Sequence, residues 1–239
     1  MFIHYRTEGV ILKKEARGEA DLLLTVYTRD FGKLKILGKA VRKINSKLRS
    51  AVRIFSLSEI EFIQGKSQKT LTDAILIGKS PPLIKDLKKL RIAHKIAEVL
   101  DKLIKGQERD EKIWNLLIEI FQRLNTESRF CGTKVKMRQS LIAYHYFFWN
   151  LIAIMGYAPD LYHCAHCRKK IIQEKNCFSQ KEGGITCQIC SPKGEGISAE
   201  TIKILRIILK KDWATLLKLK FEAQYLEELS LITESAQGG

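Results

Sequence analysis

The sequence predicts an α+β protein in which a small five-stranded β-barrel precedes a helical bundle that carries a zinc ribbon. Three observations predict this fold class. Apolar and polar residues alternate in short runs through the first 80 residues, helical apolar spacing begins after them, and two Cys-x-x-Cys pairs interrupt the helical half. We therefore expect two domains, 1–80 and 81–239, with the ribbon at about 160–195.

The predicted barrel rests on five short segments with the alternation of half-buried strands. These segments are 9–13, 22–27, 33–37, 54–62 and 71–77. Turn-forming residues lie between them, notably at 29–32 and 64–66. Because five strands in about 80 residues are typical of an OB-fold, the sequence favours that barrel, with an SH3-like barrel as the alternative.

The apolar spacing becomes helical after Ser80-Pro81-Pro82. Helices are predicted at about 83–103, 108–124 and 134–155, and the third is apolar nearly all round, which places it at the centre of a bundle. Ser198 is the expected N-cap of a further helix over 199–211, and helical segments continue to about residue 232.

Two cysteine pairs have the spacing of a zinc ribbon. Cys164 and Cys167 form the first pair, and Cys187 and Cys190 form the second after nineteen intervening residues. Four thiolates complete a tetrahedral shell and leave no position for water or substrate. The sequence therefore predicts about one structural Zn²⁺ per chain, which stabilises a segment poor in apolar residues.

The cysteine and histidine residues allow other interpretations. An iron–sulfur cluster also uses four thiolates and stays open on spacing alone, whereas a thioredoxin-like redox pair is disfavoured because two pairs occur in a loop. His163 and His166 are expected to be bystanders beside a complete set of four ligands. Cys131 and Cys177 are expected to be packing residues.

The net charge of +16 favours a polyanionic partner. A membrane surface or an acidic protein tail would use the same charge. The N-terminal segment has no signal-peptide cleavage site, and the longest apolar stretch, 141–156, is too short and too polar to span a bilayer. We therefore expect a cytoplasmic protein with no membrane partner, and reduced or metal-bound cysteines.

Positive charge is concentrated in 33–53, where there is no acidic residue. The cations predicted to bind DNA are Lys33, Lys35, Lys39, Arg42, Lys43, Lys47 and Arg49, and Arg53 completes the run. Short polar residues among them suggest a mobile loop between two strands that tracks phosphates, and a solvated charge run is the alternative. The aromatic residues considered for base stacking are Tyr5, Tyr27, Phe31 and Phe55.

Motifs of catalysis are not found, and we expect no enzyme, no catalytic residue and no small-molecule substrate. Gly65-Lys66-Ser67 and Gly78-Lys79-Ser80 resemble the end of a P-loop, but Ile60 and Asp73 stand where its first glycine is required.

With these features together, the chain resembles the RecO family of bacterial recombination mediators. The barrel half matches through EADLLLTVYTRDFGKLKILGKAVRK (19–43) and SKLRSAVRIFSLSEIEF (46–62), and the second half through GYAPDLYHCAHC (156–167) and FSQKEGGITCQIC (178–190). The chain departs from the usual pattern at Arg168, where glycine often follows the second cysteine.

The resemblance implies an OB-fold, a helical bundle and a zinc ribbon whose ligands are the four cysteines. It also implies single- and double-stranded DNA binding, strand annealing, and cooperation with RecR in loading RecA on DNA coated by single-strand-binding protein, in the bacterial cytoplasm at the nucleoid. The DNA-facing residues would be Lys33, Lys35, Lys39, Arg42, Lys43 and Arg49. The cations of the first helix (Lys85, Lys88, Lys89 and Arg91) would either widen the DNA path or receive the acidic tail of single-strand-binding protein. The alternatives are an RNA-binding barrel and zinc-ribbon protein, and a non-catalytic scaffold that binds acidic partners.

Overall fold

A computed structural model describes residues 3–77, 86–125, 133–172, 176–192, 196–219 and 222–237, with the backbone alone in 133–139. The chain forms two compact units, Met1–Cys131 and Gly132–Gly239. The predicted domain boundary at 80/81 and the sequence Gly78-Lys79-Ser80 lie outside the described residues. In the described part of the chain, no helix is both long enough and apolar enough to cross a membrane.

The first unit contains a closed five-stranded barrel. Its strands are β1 (His4–Arg17), β2 (Asp21–Thr28), β3 (Gly32–Gly38), β4 (Leu57–Gln64) and β5 (Lys69–Leu76). The strand order is β1-β2-β3-β5-β4, with β1 paired to both β2 and β4 and with β3 parallel to β5. A five-stranded barrel with this non-sequential order is OB-like, which confirms the predicted fold class.

Alternation along the strands puts apolar side chains inside the barrel. On β3, for example, Leu34 and Ile36 are buried, whereas Lys33 and Lys35 point outward. β1 is longer than predicted and continues to Arg17 through an irregularity in its pairing with β2. β4 begins later than predicted because Phe55, at φ +58°, interrupts the extended backbone.

The connection from β3 to β4 is anchored on the barrel at its two ends. It contains a short 3-10 helix, Lys47–Ser50. Val41, Ala51 and Val52 are buried in the barrel core at the two ends of the connection. The apolar residues hold the segment, and its charged residues are left at the surface.

Two helices complete the described part of the first unit, α1 (Leu87–Leu103) and α2 (Glu111–Asn125). The Asp110 carboxylate accepts the backbone N–H of Ile113 at 3.0 Å at the start of α2. Ring contacts join α2 to the barrel, with centroids 6.5 Å apart for Tyr27 and Trp114 and 5.6 Å apart for Phe55 and Phe121.

The second unit is a helical bundle with a small sheet. Its elements are α3 (Thr133–Ile154), β6 (Asn176–Ser179), β7 (Gly184–Cys187), β8 (Gly196–Ile197), α4 (Ala199–Leu209), α5 (Trp213–Lys218) and α6 (Ala223–Gln237). α3 contacts α4 and α6 and is buried almost continuously from residue 140 to 151, as its apolar pattern predicts. Ser198 accepts the backbone N–H of Thr201 at 3.2 Å, so the predicted N-cap is confirmed.

Candidate metal centre and nucleic-acid interface

The four predicted metal ligands come together in the ribbon. The Sγ atoms of Cys164, Cys167, Cys187 and Cys190 all lie within 4.8 Å of one another. Cys187 is the last residue of β7, and the backbone N–H of Ala165 donates to the carbonyl oxygen of Ile185 at 2.8 Å. That bond holds the first cysteine pair against the strand that carries the second pair.

The sulfur positions suit a tetrahedral metal ion. Four sulfur atoms about 2.3 Å from one Zn²⁺ would be about 3.8 Å apart. The Sγ atoms of Cys167 and Cys187 are 3.8 Å apart. The backbone N–H groups of Cys167 and Cys187 also lie 3.5 Å and 3.4 Å from the Sγ of Cys164, where they stabilise a thiolate.

Electrostatics within the cluster favour a bound cation. Burial tends to raise the pKa of Cys164, but hydrogen bonds from the backbone of Cys167, Cys187 and His166 outweigh it and lower that pKa to about 6. The pKa of Cys190 is raised to about 12, first by its hydrogen bond with Cys187, then by burial and by the other two thiols. Four thiols this close do not all ionise unless a cation offsets their charge, so the donor set fits a thiophilic metal ion.

Neighbouring histidine and cysteine residues have other partners. His163 Nδ1 lies 3.3 Å from Asp160 Oδ2, and His166 Nδ1 lies 3.9 Å from Glu182 Oε2. The thiol of Cys177 donates to the carbonyl oxygen of Ser191 at 3.4 Å. Within the described residues, the group that could hold a metal contains the four cysteines alone, and Cys131 lies outside those residues.

Arg168 occupies a left-handed backbone position after the first cysteine pair, at φ +60°. Its N–H donates to the carbonyl oxygen of Cys164 at 2.9 Å, so the turn closes with arginine in place. Glycine adopts this conformation at lower cost than any other residue, which gives a physical reason for glycine at this point of the ribbon.

The ribbon is fixed to the helices of its own unit. Nε and Nη2 of Arg206 in α4 donate to the carbonyl oxygen of Leu161 at 3.1 Å and 2.6 Å, and the guanidinium lies 4.4 Å from the ring centroid of Tyr162. Phe178 of β6 contacts Trp149 of α3, with ring centroids 5.8 Å apart. A folded ribbon therefore stabilises the packing of α3 and α4.

Most of the predicted DNA-binding residues lie in the anchored connection between β3 and β4. Five of them are there, all exposed: Lys39, Arg42, Lys43, Lys47 and Arg49; Arg53 of the same connection is exposed as well. The backbone N–H of Arg42 donates to the carbonyl oxygen of Ala20 at 2.9 Å. Its side-chain Nη1 donates to the carbonyl oxygen of Gly18 at 3.3 Å. The connection therefore lies beside the β1–β2 turn, which is one of the loops that bind oligonucleotides in OB-folds.

Lys33 and Lys35 lie on the outer face of β3, in different surroundings. Lys35 is exposed. The Nζ of Lys33 lies 2.9 Å from Asp101 Oδ1 and 2.7 Å from the Asp101 carbonyl oxygen, and its side chain is only 12% exposed. Because its ammonium is paired with Asp101 of α1, Lys33 is not part of the row of exposed cations on the connection.

The aromatic candidates for base stacking are largely used inside the first unit. Tyr27 and Phe55 are buried, with 0% and 2% exposure, which excludes them as stacking platforms in this fold. Tyr5 and Phe31 contact Phe62, with ring centroids 5.4 Å and 5.6 Å away. Sequence reasoning missed two other cations, Lys69 and Lys105, which share a cleft with Lys35; no charge run or motif marks them.

Comparison with known proteins places both halves of the chain in one family. Residues 1–79 match the family model for the recombination protein O N terminus, and residues 84–236 match the model for its C terminus. A protein named DNA repair protein RecO from Dehalococcoides mccartyi is 30% identical over 231 residues, covering 95% of this chain and 87% of the relative. Two proteins of the same name are each 28% identical to this chain. The alignment with the one from Caldanaerobacter subterraneus covers 95% of this chain and 84% of the relative. The alignment with the one from Desulforamulus reducens covers 97% of this chain and 87% of the relative. The chain belongs to the RecO family.

Proposed function

We propose that this protein acts in DNA repair as a non-catalytic recombination mediator that binds DNA and anneals complementary strands. The observation that carries the proposal is the row of exposed cations, Lys39 to Arg49, held on the barrel beside the β1–β2 turn. Membership in the RecO family, and the name DNA repair protein RecO carried by the relatives, support it.

Annealing requires that the phosphate repulsion between two strands be reduced while the base edges stay free to pair. Lysine and arginine side chains meet the first requirement by displacing counterions from phosphates. They meet the second because contacts with phosphates carry no sequence information and leave the bases exposed. The anchored connection suits this task since its backbone is held by buried Val41 and Val52 and its cations face solvent.

We also propose the finer parts of the role that the resemblance to the RecO family implies. The protein works with RecR to load RecA on DNA coated by single-strand-binding protein, in the cytoplasm at the nucleoid. The exposed cations Lys88 and Arg91 on α1 offer a surface for an acidic segment of such a partner. The metal is one structural Zn²⁺ held by the four cysteines, and it supplies folding free energy to the ribbon.

The interface is tested by replacing Lys39, Arg42 and Lys43 together with alanine. We expect affinity for single-stranded DNA to fall for all sequences alike, and the slope of log affinity against log salt to decrease by about 0.7 for each lost contact. The measurement is fluorescence anisotropy of a labelled oligonucleotide between low and moderate salt.

The matched control removes three exposed lysines elsewhere, Lys112, Lys203 and Lys210, and should leave the slope close to that of the unmodified protein. An unchanged slope in the first variant would rule out this surface. Stronger binding to an RNA strand than to a DNA strand of the same sequence would instead indicate an RNA-binding protein. Retention of an acidic protein partner without DNA binding at physiological salt would indicate a scaffold.

A further inference from the structure

The four cysteines of the metal-binding group differ in their access to solvent. Cys164 is buried, with 0% exposure, and Cys187 and Cys190 are half-buried. Cys167 is exposed. Because cysteine oxidation follows thiolate character and exposure, a small oxidant dissolved in water reacts first with Cys167.

The exposed cysteine has a second sulfur atom within reach. The Sγ of Cys167 lies 3.8 Å from the Sγ of Cys187, which belongs to the other cysteine pair. The Sγ of Cys164 is held differently, since it accepts the backbone N–H groups of Cys167 and Cys187 at 3.5 Å and 3.4 Å. Cys164 is therefore fixed in the interior of the ribbon, whereas Cys167 lies at its surface beside a thiol that can react with it.

Positive charge follows the exposed cysteine directly. Arg168, Lys169 and Lys170 are all exposed. Arg168 is the one with a carboxylate nearby, and its Nη1 lies 3.9 Å from Asp160 Oδ2. Attack of a thiolate on a peroxide releases a hydroxide ion, and nearby cations stabilise the negative charge that develops on the leaving oxygen. Exposed thiolates in electropositive surroundings are those that oxidise selectively.

We propose that Cys167 and Cys187 form a peroxide-sensitive pair, whose oxidation to a disulfide opens the metal site. The proposal goes beyond the DNA function and rests on the proposed ligation of Zn²⁺. The Cys167 thiolate attacks one oxygen of hydrogen peroxide, so that an S–O bond forms, the O–O bond breaks and hydroxide leaves. The Cys187 thiolate then attacks the sulfur of this sulfenic acid, the S–S bond forms, and the S–O bond breaks with loss of a second hydroxide. Two thiolates are thereby oxidised, and one peroxide is reduced to two hydroxide ions.

The disulfide removes two of the four ligands. Cys164 and Cys190 then take up protons, and two thiols do not complete a tetrahedral shell for the cation. The disulfide links the two cysteine pairs, so they stay together and reduction can restore the site. The ribbon contacts α3 through Phe178 and α4 through Arg206. Oxidation of this pair therefore loosens the contacts of the ribbon with the helices of the second unit.

The test adds hydrogen peroxide to the zinc-loaded protein and follows zinc release with a colour-forming chelator. We expect release of about one Zn²⁺ per chain, and recovery of the bound metal after dithiothreitol and Zn²⁺ are added. Peptide mapping by mass spectrometry should find a disulfide between Cys167 and Cys187. Absence of zinc before peroxide is added would contradict the proposed ligation and this inference with it. Zinc that is bound at first and retained in excess peroxide would overturn this inference alone.

Cys167→His removes the exposed thiol but keeps a ligand, because three cysteines and one histidine are a common zinc-binding set. We expect this variant to release zinc roughly tenfold more slowly than the unmodified protein. The matched control, Cys177→Ser, changes a buried cysteine outside the metal-binding group. It should release zinc within about twofold of the unmodified rate.

Three results would overturn the inference. They are release from Cys167→His as fast as from the unmodified protein, a disulfide between any other two cysteines, and a sulfinic acid at Cys167 without a disulfide. Peptide mapping uses the unmodified protein, so it decides between these outcomes even if the histidine variant does not hold zinc.

Discussion

Replacement of Cys164 by serine is expected to abolish metal binding and to unfold the ribbon. Cys164 is fully buried, and its Sγ accepts hydrogen bonds from two backbone N–H groups. Within the described residues it is one of the four cysteines that form the metal-binding group, so its loss leaves three ligands. Structural Zn²⁺ supplies roughly 10–16 kcal/mol of apparent folding free energy in zinc-finger peptides. Metal analysis should give about one Zn²⁺ per unmodified chain and none in the variant. Hydrogen exchange should show loss of protection in β6 and β7.

The matched control is Cys177→Ser, which changes a buried cysteine outside the metal-binding group. Serine can donate to the Ser191 carbonyl as the thiol does, so metal content should be unchanged and the free energy of unfolding should fall by only about 1 kcal/mol. DNA affinity should be largely retained in both variants because the proposed interface lies on the barrel. Iron in place of zinc, or a Cys164→Ser protein that keeps its metal, would contradict the structural-zinc proposal.

Gly32→Ala is expected to be the most destabilising small change in the barrel. Gly32 has φ +61°, where a residue with a Cβ atom costs about 1–2 kcal/mol. Its Cβ would also lie 2.3 Å from the oxygen and 2.8 Å from the carbon of the Glu108 carbonyl, and a backbone cannot move as a flexible side chain does. With overpacking adding about 1–3 kcal/mol, we expect the free energy of unfolding of the first unit to fall by about 3 kcal/mol.

Gly18→Ala is the matched control for this effect. Gly18 has almost the same backbone angle, φ +59°, but a Cβ atom there would meet nothing within 4 Å. The loss should therefore be limited to about 1 kcal/mol from the backbone alone. Hydrogen exchange of the slowest barrel amides measures both losses. Equal losses in the two variants would mean that the segment around Glu108 is not packed against Gly32.

Local patterns were sufficient to predict the barrel, the central helix and the cysteine cluster. Alternation of period two marked the strands, and the spacing of two short cysteine pairs made their convergence the simplest arrangement. Ser198 was predictable as an N-cap because capping depends only on the next few residues of the chain. The start of β4 was not predictable, because the left-handed Phe55 depends on its packing against the barrel and α2.

The candidate interface was predicted only in part, because exposure and pairing depend on distant residues. Alternation puts Lys33 and Lys35 on the same outer face of β3, and the sequence gives no sign that one of them pairs with Asp101, which is 68 positions away. The cleft presents the same difficulty. Lys35, Lys69 and Lys105 lie on separate segments, and only the folded first unit brings them to one site. A charge run in sequence thus indicates a cationic surface but not its limits.

We propose that the protein anneals DNA through the cations of the β3–β4 connection. The most direct measurement is the rate at which two complementary fluorescent oligonucleotides pair in the presence of the protein, as salt is increased. We expect strong acceleration at low salt, a steep fall as salt rises, and little acceleration by the Lys39, Arg42 and Lys43 alanine variant. Equal annealing by the variant and the unmodified protein, or DNA binding without any acceleration, would contradict this account.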